Sequence, residues 1–297
     1  MKIMIQNRFL VCMFLISFSI TAQIKGVVKD SISGKPIPFV SVWIQNENIG
    51  TSSEENGEFT INSTEKNKNL IFSALGFEKK TIRASKAILV NLKPVVYQLD
   101  EVSITEDRLE TKEIEIGDTD NQIYQSFDNG PRIDTKFFPY RSFYKKTKFI
   151  KKVTIETDSR IENATIKIHF YSVDANGYPG EEMLNKDFIV SVKKGTKKSL
   201  FDVTKFHLTI PKKGLFVGFE KLTIEKNKLE KTIIDSKTNK TQIQKTYFPF
   251  VMYNFVERAF LYTFSGGKWN RQTKHNDADS PDKIMMYEPA INLILTN

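Results

Sequence analysis

Two neighbouring stretches, GVVKDSISGKPIPFVSVWI at residues 26–44 and NIGTSSEENGEFTI at residues 48–61, decide how the first third of this 297-residue chain folds. In FVSVWI, Val40, Val42 and Ile44 share one face while Phe39, Ser41 and Trp43 share the other. That is the period of a half-buried strand. In the second stretch, Asn56-Gly57 sits between short alternating runs. It is a hairpin signal, because both residues tolerate positive φ. Working outward, further strands are expected at 25–29, 57–62, 70–75, 77–83, 88–92 and 96–105, with no helical period between them. Many short strands at regular spacing predict a β-sandwich.

The ordered set Gly26, Gly34-Lys35-Pro36-Ile37-Pro38, Gly50-Thr51, Asn56-Gly57 with Phe59, Leu75-Gly76-Phe77 and the closing LDEVSIT at 99–105 resembles the carboxypeptidase regulatory-like domain. The resemblance covers residues 23–105 and implies a transthyretin-like sandwich. Gly34 and Gly57 suit turn positions, and Pro36 and Pro38 stiffen a segment that needs no ladder hydrogen bond. Ser53-Glu54 stands where the family usually has an acidic residue after Ser or Thr. The module accompanies carboxypeptidases outside their catalytic domain, and it precedes the plug of TonB-dependent receptors. LDEVSIT resembles the lead into such a plug, but fewer than 200 residues remain after it, too few for a large membrane barrel.

The first 22 residues place Lys2 and Arg8 ahead of an apolar run from Phe9 to Ile20, followed by Thr21 and Ala22. This is the layout of a secretory signal peptide cleaved after Ala22, and the run is too short to span a bilayer. The one cysteine, Cys12, falls inside the leader, so the mature chain is expected to lack disulfides, thiolate metal sites and cysteine nucleophiles. Removing Lys2 and Arg8 takes the formal charge from +9 to 9 − 2 = +7. For an exported chain, periplasmic or outer-membrane associated, that balance points to polysaccharide, lipid head groups or cell-wall polymer rather than nucleic acid. No transmembrane segment is expected after cleavage.

Residues 106–139 are charged and turn-rich and read as a linker. Residues 140–297 alternate again in KKVTIETDSR, ATIKIHFYSV, KDFIVSVKKG, FDVTKFHLTIP and GLFVGFEKLTIE, which predicts a second antiparallel sandwich of jelly-roll type. The chain as a whole is thus expected to be all-β. HFYSVDANGYPGE, IPKKGLFVGFEKL, YTFSGGKWN and INLILTN resemble segments of uncharacterised domains that follow the same module in exported proteins of Gram-negative bacteria. That resemblance implies a ligand-binding sandwich and names no ligand.

The spacing of chemistry-bearing residues is uninformative. His169, His207 and His275 lack the His-x-x-Glu pattern of a metallocarboxypeptidase. No G-x-S-x-G elbow and no phosphate loop is present. His169 and His207 are expected on the partly exposed faces of strands, and Asp174-Ala-Asn176-Gly177 reads as a hairpin turn. No cofactor and no metal site is expected. Aromatic residues remain: Trp269 after Ser265-Gly266-Gly267-Lys268, with Tyr262 nearby, and Trp43 on the face opposite Val42 are the candidate ligand or partner contacts. The expected function is non-enzymatic: an exported binding or scaffolding module for a glycan or an envelope protein. An accessory of TonB-dependent uptake and a glycan-processing enzyme using two carboxylates are the alternatives.

Overall fold

A computed structural model describes residues 23–95, 112–117, 124–234, 241–273 and 284–297. Residues 1–22 with Cys12, expected to be a leader, the strand expected at 96–105 and His275 lie outside the described residues.

Seven strands build the N-terminal sandwich: β1 (Ile24–Asp30), β2 (Ser41–Ile44), β3 (Gly50–Ser52), β4 (Glu58–Ile61), β5 (Asn69–Ser73), β6 (Lys80–Arg83) and β7 (Leu89–Leu92). One sheet runs β4-β1-β7 and the other β3-β2-β5-β6. Their inward faces enclose Val28, Val42, Ile44, Phe59, Ile61, Leu70, Phe72, Val90 and Leu92. The rings of Phe59 and Phe72 meet edge to face at 5.3 Å, joining the two layers. The turn that the sequence marks at Asn56-Gly57 depends on its glycine. Gly57 has φ +78, and a Cβ there would lie 2.6 Å from the Val28 carbonyl oxygen.

β2 departs from the half-buried strand its alternation predicts. Ser41, Val42, Trp43 and Ile44 are all buried, because the Ser41–Trp43 face is covered by the other half of the chain. Phe39, expected in the same strand, lies outside it with φ 54.

The remaining strands are β8 (Glu113–Ile116), β9 (Tyr124–Ser126), β10 (Ile133–Phe138), β11 (Phe149–Ser159), β12 (Ala164–Val173), β13 (Pro179–Glu182), β14 (Phe188–Val192), β15 (Gly195–Asp202), β16 (Leu215–Lys221), β17 (Lys228–Ile234), β18 (Thr241–Tyr247), β19 (Phe250–Arg258), β20 (Leu261–Ser265), β21 (Lys268–Gln272), β22 (Ile284–Pro289) and β23 (Ile291–Thr296). Two seven-stranded sheets result. The first runs β13-β12-β16-β10-β20-β21 with β14 on β12, and the second β22-β19-β11-β23-β8 with β15 on β11 and β9 on β19. Ile166, Ile168, Phe170, Val217 and Phe219 of the first face Val153, Ile155, Tyr253, Leu293 and Leu295 of the second in one apolar cluster. The hairpin β17–β18 forms a two-stranded sheet of its own. All-β architecture is therefore observed throughout the described residues. Among the described residues no helix is long and apolar enough to cross a membrane.

Two expectations need correction. Residues 106–139 are not simply a linker: β8 pairs with β23, β9 with β19, and β10 lies between β16 and β20 as a buried inner strand. Two of the charges that suggested a linker are held inside the fold. Lys136 and Asp134 are buried, Lys136 beside Glu288 and Asp134 accepting from Arg132 and the Tyr253 hydroxyl. FDVTKFHLTIP is not one strand either. After Asp202 its carboxylate accepts the Thr204 N–H, a short 3₁₀ turn follows, and His207 takes φ 51 in an exposed turn. A local side-chain-to-backbone bond overrides the alternation there.

Candidate functional site

Strand β12 explains where the two sandwiches meet. Its even positions, Ile166, Ile168 and Phe170, fill the core, which leaves Lys167, His169 and Tyr171 on the opposite face. That face is not solvated. Lys167 and His169 are buried, so the expectation of a partly exposed His169 is overturned, because the N-terminal sandwich packs over it. Antiparallel pairing sets Lys167 opposite Glu220 and His169 opposite Gly218 on β16. Gly218 leaves room for the imidazole; a Cβ there would sit 3.2 Å from that of His169.

The charges on this face are organised around the imidazole. His169 Nδ1 lies 2.8 Å from Glu182 Oε2 and Nε2 lies 2.9 Å from Glu220 Oε2. The second oxygen of each carboxylate is also occupied. Glu220 Oε1 accepts the Ser41 hydroxyl at 2.5 Å, and Glu182 Oε1 accepts the Phe170 N–H at 2.7 Å. Burial works to lower the His169 pKa, but the charge and hydrogen bond of Glu182, then those of Glu220, outweigh it and push it up to about 9. Burial works to raise Glu220, but the charge of Lys167, with His169 and Ser41, holds it down at about 2. The ring is therefore an imidazolium donating through both nitrogens. It has no lone pair with which to act as a base.

Lys167 completes the joint. Its Nζ donates to the Phe39 carbonyl oxygen at 2.8 Å and lies 3.3 Å from Asp187 Oδ1. Phe39 holds a backbone conformation that a bulky residue rarely adopts, and its carbonyl is gripped across the joint. Around this polar centre the contact is aromatic. Trp43 meets Phe264 edge to face at 6.0 Å, and Trp269 stands edge-on to Phe264 at 5.2 Å and to Tyr171 at 5.1 Å. The Gly266-Gly267 turn touches the N-terminal sandwich directly, with Asn46 N–H donating to the Gly266 carbonyl at 3.0 Å. Two candidate contacts thus meet within the molecule. Trp43 is buried, and half-buried Trp269 lines a cleft of about 280 Å³ between the sandwiches.

Tyr262 lies elsewhere. It helps to line a cavity of about 440 Å³ in the C-terminal sandwich. One wall is aromatic: Phe137, Phe216, Phe260 and Tyr262 have ring centroids 4.9 to 6.4 Å apart, with Phe137 and Phe260 half-exposed. Burial raises the Tyr262 pKa against the opposing charge of Arg271, which lies over its ring. Other lining residues are charged. Arg258 donates through Nε and Nη2 to both oxygens of Glu288, at 2.6 and 2.8 Å, and Lys136 Nζ lies 3.3 Å from the same carboxylate. Arg141 stands at the exposed rim.

Sequence reasoning missed Lys167, Glu182, Asp187 and Glu220 at the joint, and Arg141, Arg258 and Glu288 in the cavity. One signal could have found the first set. β16 reads LFVGFEK with every residue buried, the pattern of a strand covered on both faces, and its Glu220 falls opposite Lys167. No group of three or more metal-ligating side chains occurs among the described residues. Asp174 is a turn residue, its Oδ1 accepting the N–H groups of Asn176 and Tyr178 at 2.8 Å.

The fold and these sites define an all-β protein of two sandwiches joined through a buried charged contact. Its first sandwich is the part with a recognised relative: residues 24–104 match the family described as CarboxypepD_reg-like domain. No curated protein matches the chain. Among solved structures, a chain from the structure of infectious bursal disease virus Gx strain is similar over 87% of this chain and 60% of its own length, at 10% identity. The TM-score of 0.22 is too low for that likeness to bear on fold or function.

Proposed function

We propose that this chain is an exported, non-enzymatic binding module of the cell envelope, periplasmic or outer-membrane associated. In this reading the CarboxypepD_reg-like sandwich is a rigid bracket and the C-terminal sandwich holds the ligand, a surface polysaccharide. The observation that carries the reading is the Phe137–Phe216–Phe260–Tyr262 cavity, a concave aromatic surface with a few fixed polar groups and a volume within the roughly 300–1,000 Å³ of ligand pockets. Export rests on the leader pattern of residues 1–22, and the basic balance of the chain suits an anionic envelope.

The carboxylate-pair alternative finds no support in either site. Glu288 is clasped by Arg258 and Lys136, and Glu182 and Glu220 by His169, so none is placed as a general acid. LDEVSIT remains the feature in favour of a role beside TonB-dependent uptake. Affinity electrophoresis of the purified protein through gels containing envelope polysaccharides tests the proposal. Retardation that Phe260→Ala removes at an unchanged melting temperature is expected. Migration unaffected by every polysaccharide, together with capture of an outer-membrane receptor, would replace the glycan reading with the scaffold one.

A further inference from the structure

We infer that the aromatic cavity of the C-terminal sandwich selects a carboxylated sugar ring, a uronic acid, over a neutral one. This rests on the glycan-binding reading and names the ligand chemistry of the same site. A hexose ring has one flat C–H-rich face and a polar perimeter. It therefore fits a surface whose floor is aromatic and whose edge is charged, while an acyl chain needs apolar walls all round. Here the floor is the contiguous set Phe137, Phe216, Phe260 and Tyr262; Phe216 and Tyr262 are buried beneath it, Phe137 and Phe260 leave part of their rings open, and Arg271 lies over the Phe260 and Tyr262 rings.

The edge identifies the charge. A guanidinium has five N–H groups. Arg258 places three of them on described residues: Nε and Nη2 on Glu288 and Nη1 on the Glu257 carbonyl. Two N–H groups remain on a side chain fixed by the Glu288 fork, so ordering it costs a ligand little entropy. Arg141, on the same lining, donates to no described residue and forms no ion pair with one, and its guanidinium is exposed at the rim. Two arginines with open donors beside an aromatic floor match the planar, bidentate demand of a carboxylate better than the scattered hydroxyls of a neutral hexose. Glu257 at the rim is exposed, and its carboxylate is free to turn to solvent.

Isothermal titration of the purified protein with oligogalacturonate, with neutral dextran oligosaccharides of equal length, and with decanoate tests the inference. Oligogalacturonate is expected to bind at least tenfold more tightly than dextran. Arg141→Gln, a change at an exposed side chain that leaves the fold intact, is expected to weaken the acidic ligand about tenfold and to leave dextran unchanged. Raising the salt from 50 to 500 mM should narrow the preference, as for any partly exposed ion pair. Equal binding of the two sugars, or an equal effect of Arg141→Gln on both, overturns the carboxylate preference while the glycan reading stands. Failure of both sugars to bind overturns the glycan reading as well, and decanoate binding that Phe260→Ala abolishes assigns the cavity to a lipid acid instead.

Discussion

In the N-terminal sandwich the inward positions from Val28 to Leu92 are aliphatic or phenyl, and the residues between them turn to solvent or to the joint. In the C-terminal sandwich β12 sends Ile166, Ile168 and Phe170 into an apolar core but sends Lys167 and His169, with half-buried Tyr171, into a second covered surface. The two kinds of burial differ in what they demand. Apolar burial is non-directional and forgives small changes of shape, whereas each buried charge requires a partner at a fixed distance. The joint should therefore be less tolerant of single changes than the core beneath it.

The largest effect is expected at Lys167. Lys167→Ala leaves Glu220, Asp187 and the Phe39 carbonyl short of a buried cation, and should destabilise by about 3–5 kcal/mol in urea melts. Adding Glu220→Gln to Lys167→Met should recover part of the loss, because partner removal rather than loss of the pair carries the cost. A simple sum of the two single effects would break the proposed contrast. Phe72→Ala in the N-terminal core should cost about the same, with no comparable rescue by a second change.

A second comparison lies within the N-terminal sandwich. Gly57 and Gly34 both have positive φ, but a Cβ at Gly57 would meet Val28 O and Pro36 Cβ at 2.6 and 2.9 Å, while Gly34 has nothing within 4 Å. Gly57→Ala is expected to cost about 2–4 kcal/mol and Gly34→Ala about 1 kcal/mol. Equal thermal shifts for the two would show that the hairpin turn is not what fixes the register of β4 on β1.

The joint should also respond to pH where the N-terminal core does not. His169 is raised in the fold to about 9 from 6.5, so its contribution is complete below pH 6.5 and is lost as pH rises toward 9. Glu220 is lowered to about 2 from 4.5, so its contribution is complete above pH 4.5 and is lost as pH falls toward 2. Stability from the joint should peak between pH 4.5 and 6.5 and fall on the alkaline side by on the order of 3 kcal/mol. His169→Gln should flatten the alkaline limb. A limb that persists in this variant would place the titrating group elsewhere.

Much of the fold was legible because its signals are local. Asn56-Gly57, Gly34 with its flanking prolines, and the alternation of residues 164–173 and 215–221 each specify a turn or a strand within a few residues. The joint was not legible for the same reason. A period of two puts Lys167 and His169 on one face, but the string is identical whether water or another sandwich lies beyond it. The sequence singles out Trp43 and Trp269 as aromatic candidates, and only their neighbours, Phe264 and Tyr171, show that their contacts are internal. Residues 106–139 misled in the opposite direction. Their charges suggested solvent, yet Asp134 and Lys136 are buried beside partners more than a hundred residues away, Tyr253 and Glu288.

The smallest effect is expected on the β17–β18 hairpin, which reverses the logic of the joint by exposing apolar residues where the joint buries charged ones. Thr232 pairs with Ile243 and Ile234 with Thr241, so Ile234 and Ile243 are diagonal neighbours on one face, 69% and 62% exposed. The hairpin pairs with no other strand among the described residues, and these two side chains reach no core cluster. Ile234→Thr and Ile243→Thr keep the β-branched shape and should change stability by less than about 0.5 kcal/mol. A loss of several degrees in Tm, with a concentration-dependent elution volume that the substitutions abolish, would mean that a second copy covers this face in solution. Exposed apolar residues would then, like the charges of the joint, mark a contact surface.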